Sequence, residues 1–179
     1  MSTELEAMHE ATMARVRDLG PWRFEPNRIE FRSSGLPCLM NRNSFGAWCG
    51  YAAVPPGHPC HGLRYDAPEL SEIRVHGGLT FSGGCEGHIC HVPKPGEPDD
   101  VHWFGFDCSH VFDLAPSHLS FPKPIQELLK DQSVYRSVGY VRRHVKHLAY
   151  QLACMGGRPS ASPRARPEGF VSRARATPG

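Results

Sequence analysis

Residues 22–54 read WRFEPNRIEFRSSGLPCLMNRNSFGAWCGYAAV, a stretch rich in apolar and β-branched residues with one pronounced turn signal. Two short strand-like segments flank the turn formers Ser33–Gly35, which predicts a β-hairpin. The segment 47–54 predicts a third strand. Because no helix is expected between these strands, the stretch predicts an antiparallel sheet within an α+β fold.

Two later segments extend the predicted sheet to about five strands. SEIRVHGGLTFSGG, residues 71–84, is typical of a strand interrupted by Gly77 and Gly78. VHWFGFDCSHVF, residues 101–112, predicts an aromatic-rich central strand. Segments dense in Pro and Gly precede each of them, and these predict ordered loops.

Helices are predicted at both ends of the chain. Thr3 and Glu6 fit a capping box, which predicts a first helix over residues 3–19, and Pro124 predicts the start of a short helix. Near the C-terminus apolar residues recur at intervals of three and four, which predicts a long helix packed on the sheet. That apolar stripe comprises Val134, Val138, Val141, Val145, Leu148 and Leu152.

Length and charge narrow the classes of protein. The 179 residues predict one domain over residues 1–155, followed by a flexible Arg-, Pro- and Gly-rich tail over residues 156–179. The net charge is only +2, and the tail alone has five arginines against Glu168, so nucleic-acid binding is not favoured. Without a secretory or membrane-spanning apolar run, the sequence predicts a cytoplasmic protein.

Histidine and cysteine are concentrated between residues 58 and 110. The residues are His58, Cys60, His61, His76, Cys85, His88, Cys90, His91, His102, Cys108 and His110. The chain has seven cysteines, an odd number that favours reduced thiols over a disulfide framework. Cys85, His88 and Cys90 have side chains that zinc prefers, but their spacing matches no standard zinc motif. Independent surface histidines and buried cysteines are the alternative interpretation.

Two segments indicate a site with acid–base or metal chemistry. In VHGGLT, Gly77 and Gly78 can leave the backbone open to a ligand beside His76, although a β-bulge explains them equally well. In GFDCSHVFD, a strand that ends near Cys108 lets the following turn bring His110 and Asp113 together. A buried Asp107 needs a partner, such as an imidazole or an arginine.

The sequence lacks the common nucleotide-hydrolase, dinucleotide, esterase and metalloprotease motifs. Catalytic candidates are His76, Asp107, His110 and Asp113, and the candidate metal ligands are His76, His110 and Asp113. The ligand-binding candidates are Tyr51, His58, Gly77, Gly78, Thr80 and Trp103. Aromatic side chains among them could stack on a planar ligand, or could belong to the core.

The segments RNSFGAWCGYAAVPPGHP, VHGGLTFSG, WFGFDCSHVFD and YRSVGYVRRHVKHLAYQL resemble those of a family of small uncharacterised proteins of bacteriophages and bacterial genomes. The resemblance covers roughly residues 41–153, and Phe112 stands where the family pattern has Gly. It points to Gly50, Tyr51, His58, Pro59, His76, Gly77, Gly78, Asp107, Cys108, His110 and Asp113. A phage context implies interference with a host process.

Two functions follow as hypotheses. The first is a small hydrolase whose His/Asp pocket acts on a small, nucleotide-like substrate, with a divalent metal such as zinc or with acid–base groups alone. The second is a non-catalytic phage-type protein that sequesters a nucleotide-like signalling molecule or inhibits a host defence protein.

Overall fold

The computed structural model describes residues 20–157, which form a mixed α+β structure. Five strands form one antiparallel sheet in the order β1-β2-β3-β5-β4. They are β1 (Arg28–Ser33), β2 (Leu36–Arg42), β3 (Trp48–Val54), β4 (Phe81–Gly83) and β5 (His102–Asp107). A separate parallel pair joins β6 (Asp113–Leu114) to β7 (Val134–Tyr135). The predicted five-stranded antiparallel sheet is confirmed.

The first hairpin forms where the turn signal predicted it. Ser33 pairs with Leu36, so the connection is a two-residue turn. Its residues Ser34 and Gly35 have φ of 52° and 80°. Positive φ at both turn positions matches the right-handed twist of the flanking strands, which favours this hairpin.

The strand expected across residues 71–84 is much shorter than predicted. Val75 to Gly78 form a turn in which Gly78 N–H donates to the Val75 carbonyl at 3.3 Å. Gly77 and Gly78 have φ of 65° and 88°, a conformation that ends strand pairing. Pairing with β5 therefore involves only Phe81–Gly83.

Two helices follow the sheet: α1 (Lys123–Gln132) and α2 (Val138–Met155). The predicted apolar stripe of α2 is confirmed from Val141 to Leu152, because these side chains are buried against the sheet. Val134 is instead exposed in β7. The helix begins after Ser137, whose hydroxyl accepts a hydrogen bond from Tyr140 N–H at 3.4 Å.

The opposite face of the sheet is covered by the loop between β4 and β5. Ile89 and Val101 of this loop pack on Trp103 and other apolar residues of the sheet. A disulfide joins Cys85 to Cys90, which the expectation of reduced thiols did not include, whereas the other five cysteines are free thiols as expected. A turn closed by a Glu86–Ile89 bridge brings the Cα atoms of Cys85 and Cys90 to 4.6 Å from each other. The strand β3 is therefore buried on both faces.

The predicted helix over residues 3–19 and most of the predicted tail lie outside the described residues. Within residues 20–157, no helix combines the length and apolar character needed to cross a membrane.

Candidate functional site

The turn after β5 places two predicted site residues side by side. Asp107 ends the strand, and its carboxylate accepts a hydrogen bond from Ser109 N–H at 2.9 Å. The chain then turns back, with Asp113 N–H donating to the His110 carbonyl at 2.9 Å. Phe112 has a φ of 73° in this turn. His110 and Asp113 therefore lie in a turn rather than on alternating faces of β5, and this geometry allows their side chains to meet.

Gly77 lets a second segment approach this turn. A Cβ atom added to Gly77 would lie 2.2 Å from Cε1 of His110, which is too close for any side chain. Gly78 has open space at the same position. The absence of a side chain at residue 77 therefore allows the His110 ring to pack against the backbone beside His76.

Asp113 is the centre of the resulting cluster, and its side chain is 1% exposed. Its Oδ1 accepts a hydrogen bond from Arg136 Nε at 2.7 Å. Its Oδ2 lies 2.7 Å from His76 Nε2 and accepts a hydrogen bond from His110 N–H at 3.1 Å. Burial raises the pKa of Asp113, but the hydrogen bonds from Arg136, His76 and His110 outweigh it, and the net pKa is lowered. The carboxyl group is therefore ionised at neutral pH.

His76 is held through both ring nitrogens. Because an ionised carboxylate only accepts, His76 Nε2 carries the proton directed at Asp113. The other ring nitrogen, Nδ1, lies 3.0 Å from the Tyr140 hydroxyl, within hydrogen-bond distance. Tyr140 lies in the first turn of α2, so the start of this helix orients His76.

His110 connects the buried cluster to solvent. Its Nδ1 lies 3.5 Å from Asp113 Oδ2 and is buried without a hydrogen-bond partner in the described chain. The side chain is nevertheless 36% exposed and lines a cleft of about 180 Å³. The cleft is bounded by Phe45, Ser109, His110, Asp113, Ala115 and His118.

Two clusters have side chains suited to a metal ion. Single ligand atoms of His76, His110 and Asp113 lie within 4.8 Å of one another. Cys85, Cys90 and His91 meet the same criterion on the opposite face of the sheet. Imidazole and carboxylate suit zinc at the first cluster, whereas two sulfur atoms of the second are joined in the Cys85–Cys90 disulfide and could bind a metal only after reduction.

Asp107 and Thr80 form a separate pair. The Thr80 hydroxyl donates to Asp107 at 2.9 Å, and the other carboxylate oxygen receives Ser109 N–H. Among the described residues these are the hydrogen bonds of the Asp107 side chain, so it does not join the cluster around Asp113. The partner that a half-buried Asp107 needs is a threonine rather than an imidazole or an arginine.

Three other residues predicted to bind a ligand are engaged in packing or in hydrogen bonds within the fold. Tyr51 and Trp103 are buried, Trp103 with 0% exposure, so their rings have no open face for stacking. His58 Nδ1 accepts from Cys60 N–H at 3.1 Å, and its Nε2–H donates to the Leu152 carbonyl at 2.9 Å. His58 therefore fastens the 55–70 loop to the end of α2.

Four residues of the site were not identified from the sequence: Arg136, Tyr140, His118 and Phe45. Arg136 lies two residues before α2 and Tyr140 lies in its first turn, and both contact the site only because the start of this helix packs beside Asp113 and His76. Phe45 and His118 lie in separate loops that meet only in the folded chain. No local pattern marks these residues as part of a site.

Comparison of the chain with family models, with curated proteins and with solved structures finds no match. The resemblance to phage proteins stays an expectation.

Proposed function

We propose that the cluster of His76, His110 and Asp113 is a hydrolytic centre that activates water for attack on a small anionic ester. The observation that carries the proposal is the convergence of two imidazoles on one buried carboxylate at the edge of a cleft. Buried ionisable groups beside a cleft are typical of functional sites.

The leading form of the centre contains a divalent metal such as zinc, with His76, His110 and Asp113 as ligands. His110 Nδ1 is buried without a partner, and a metal ion would satisfy it. Tyr140 is placed to hold the other nitrogen of His76, as outer partners of metal-bound histidines do. A bound Zn²⁺ lowers the pKa of its water to about 7, which supplies hydroxide at neutral pH.

A metal-free form is the second candidate, and the Arg136 contact favours it. Arg136 already balances the charge of Asp113, which weakens the attraction of the cluster for a cation. In this form His110 removes a proton from water in the cleft, and the Asp113 carboxylate, 3.5 Å from His110 Nδ1, stabilises the positive charge that the ring gains.

The cleft favours part of a substrate rather than a whole nucleotide. Its volume of about 180 Å³ is below the roughly 300–1,000 Å³ of pockets that enclose drug-sized ligands. A phosphoryl group suits a cleft of this size. Phe45, 58% exposed, lines the same cleft and offers a ring face to a planar base.

The proposal is tested with the Cys85→Ser/Cys90→Ser chain as background, because this change removes the second metal-capable cluster. Metal content by elemental analysis is measured together with hydrolysis of phosphomonoesters, cyclic nucleotides and amides. We expect one bound metal ion per chain, and turnover of a phosphoester. His110→Ala and Asp113→Asn should each reduce turnover by at least about 100-fold, the scale of a lost acid–base or metal function.

His147→Gln is the matched control, because it removes an exposed imidazole from α2 and should leave turnover unchanged. Turnover without stoichiometric metal would select the metal-free form. Absence of both metal and turnover would overturn the hydrolytic proposal. Recovery of an intact small molecule from the denatured protein would then favour the sequestering alternative.

A further inference from the structure

The loop between β4 and β5 contains a cluster that the proposed hydrolytic centre does not use. Cys85 is exposed, Cys90 and His91 are half-buried, and single ligand atoms of the three lie within 4.8 Å of one another. The backbone is fixed locally, because the His88 carbonyl accepts hydrogen bonds from Arg28 and, at 3.3 Å, from the Asn41 amide. The cluster is therefore held against β1 and β2.

His91 is the unusual member of this cluster. Both of its ring nitrogens are buried without a hydrogen-bond partner in residues 20–157. The ring packs against Trp103 in a T-shaped arrangement with centroids 5.7 Å apart, so packing defines its orientation. A buried imidazole with neither nitrogen satisfied is costly, and such a group calls for a ligand.

We propose that Cys85, Cys90 and His91 form a zinc site when the Cys85–Cys90 disulfide is reduced. A dithiol reductant supplies two electrons and two protons, which convert the disulfide to two thiols while the reductant becomes a disulfide. Zinc then displaces the thiol protons and binds two thiolates and the neutral imidazole. The two thiolate charges balance the charge of Zn²⁺.

The surroundings fit this ligand set. Because Cys85 is exposed, a metal ion can reach the site from solvent. Three protein ligands leave the fourth position of a tetrahedral zinc to water. Reduction frees the two sulfur atoms to separate to the distances that a metal requires. In the oxidised chain the Cys85–Cys90 disulfide cross-links the loop between β4 and β5. In the reduced chain a zinc ion bound to both cysteines and to His91, which packs on Trp103, would provide this cross-link instead.

The test is Co²⁺ binding to the full chain, reduced with dithiothreitol and freed of reductant without oxygen. We expect a sulfur-to-cobalt charge-transfer band that saturates at one Co²⁺ per chain and disappears when Zn²⁺ is added. The oxidised chain should lack the band, a comparison that needs no variant. Cys85→Ser should abolish or halve the band, and His91→Gln should weaken binding at least as much as loss of an outer-shell partner, about 10- to 100-fold.

Two matched controls separate this site from its neighbours. His88→Gln changes an exposed imidazole of the same loop, and Cys154→Ser changes an exposed thiol elsewhere, so both should retain full Co²⁺ affinity. The band requires sulfur, so His76→Ala should not affect it, and failure of the hydrolytic proposal would leave it intact. A reduced chain without the band, or with equal affinity after His91→Gln, would overturn the proposed site.

Discussion

At the scale of single residues, Asp113 holds the site together through one buried negative charge. The charge is shared by Arg136 on one oxygen and by the two histidines on the other. Because a buried charge without partners is strongly unfavourable, the carboxylate fixes the positions of all three groups. The same contacts that stabilise the fold therefore arrange the proposed chemistry.

The lowered pKa of Asp113 predicts a contribution to stability that depends on pH. The ionised form stabilises the folded state above the unfolded pKa of about 3.9, and this contribution is lost as the pH falls through the lower folded pKa. We expect Asp113→Asn to lower the free energy of unfolding at neutral pH by roughly 3 kcal/mol. Urea unfolding across acid pH should show a shallower decline for the variant than for the wild type.

Asp66→Asn is the control for this measurement, since Asp66 forms an exposed pair with Arg64 that solvent screens. Its acid decline should follow that of the wild type. An Asp113→Asn chain with the wild-type pH slope would contradict the assignment.

The two adjacent glycines predict different consequences for the same substitution. Gly77→Ala and Gly78→Ala both place alanine at positive φ, which costs about 1–2 kcal/mol. Only the new Cβ of Gly77→Ala meets the His110 ring. We expect both variants to lose stability in urea unfolding, but only Gly77→Ala to shift the NMR signals of the His110 imidazole. Equal shifts in the two variants would refute the packing role of Gly77.

At the scale of elements, regular structure could be predicted from the sequence and the site only in part. The stripe from Val141 to Leu152 and the Ser34–Gly35 turn are local patterns, so α2 and the first hairpin were predictable. His76, His110 and Asp113 could be selected because unusual residue types cluster in two segments. Arg136 and Tyr140 could not be selected, since their contacts with the site arise only when α2 packs on the sheet.

The turn between β5 and β6 predicts a stabilising substitution. Phe112 is exposed and has a φ of 73°, a conformation that glycine adopts without the steric cost paid by other residues. We expect Phe112→Gly to raise the free energy of unfolding by about 1 kcal/mol in urea. Val111→Ala, at an exposed neighbouring position, should leave it unchanged. A destabilised Phe112→Gly chain would indicate that the Phe112 ring contributes packing that outweighs the backbone cost.

At the scale of the whole molecule, Glu25 connects elements that are distant in sequence. Its carboxylate accepts hydrogen bonds from Arg42 of β2 at 3.0 Å and from Trp48 of β3 at 2.9 Å. It also accepts from the Tyr135 hydroxyl of β7 and from Val138 N–H, the first residue of α2, at 2.9 Å. Burial raises the pKa of Glu25, but these partners together lower it by more, so the net pKa is below its usual value.

We therefore expect the substitution Glu25→Gln to lower the stability of the protein and to change the surroundings of His76. The substitution leaves the Arg42 guanidinium, only 9% exposed, without its counter-charge, and loss of one partner of a buried pair costs about 3–5 kcal/mol. Because the amide has only one oxygen for the four donors that the two carboxylate oxygens serve, the change also weakens the contacts that hold the start of α2, which bears Tyr140 and thereby orients His76. We expect a lower urea midpoint and altered NMR signals of the His76 imidazole.

Glu30→Gln provides the matched control, because Glu30 pairs with Arg28 at the surface, where such pairs contribute about 0–1 kcal/mol. Its effect on the urea midpoint should be small, and the His76 signals should not move. If the two variants unfold alike, Glu25 is not the link between the sheet and α2. If Glu25→Gln unfolds early but leaves the His76 signals in place, the start of α2 is held by its own packing, and Tyr140 orients His76 without help from Glu25.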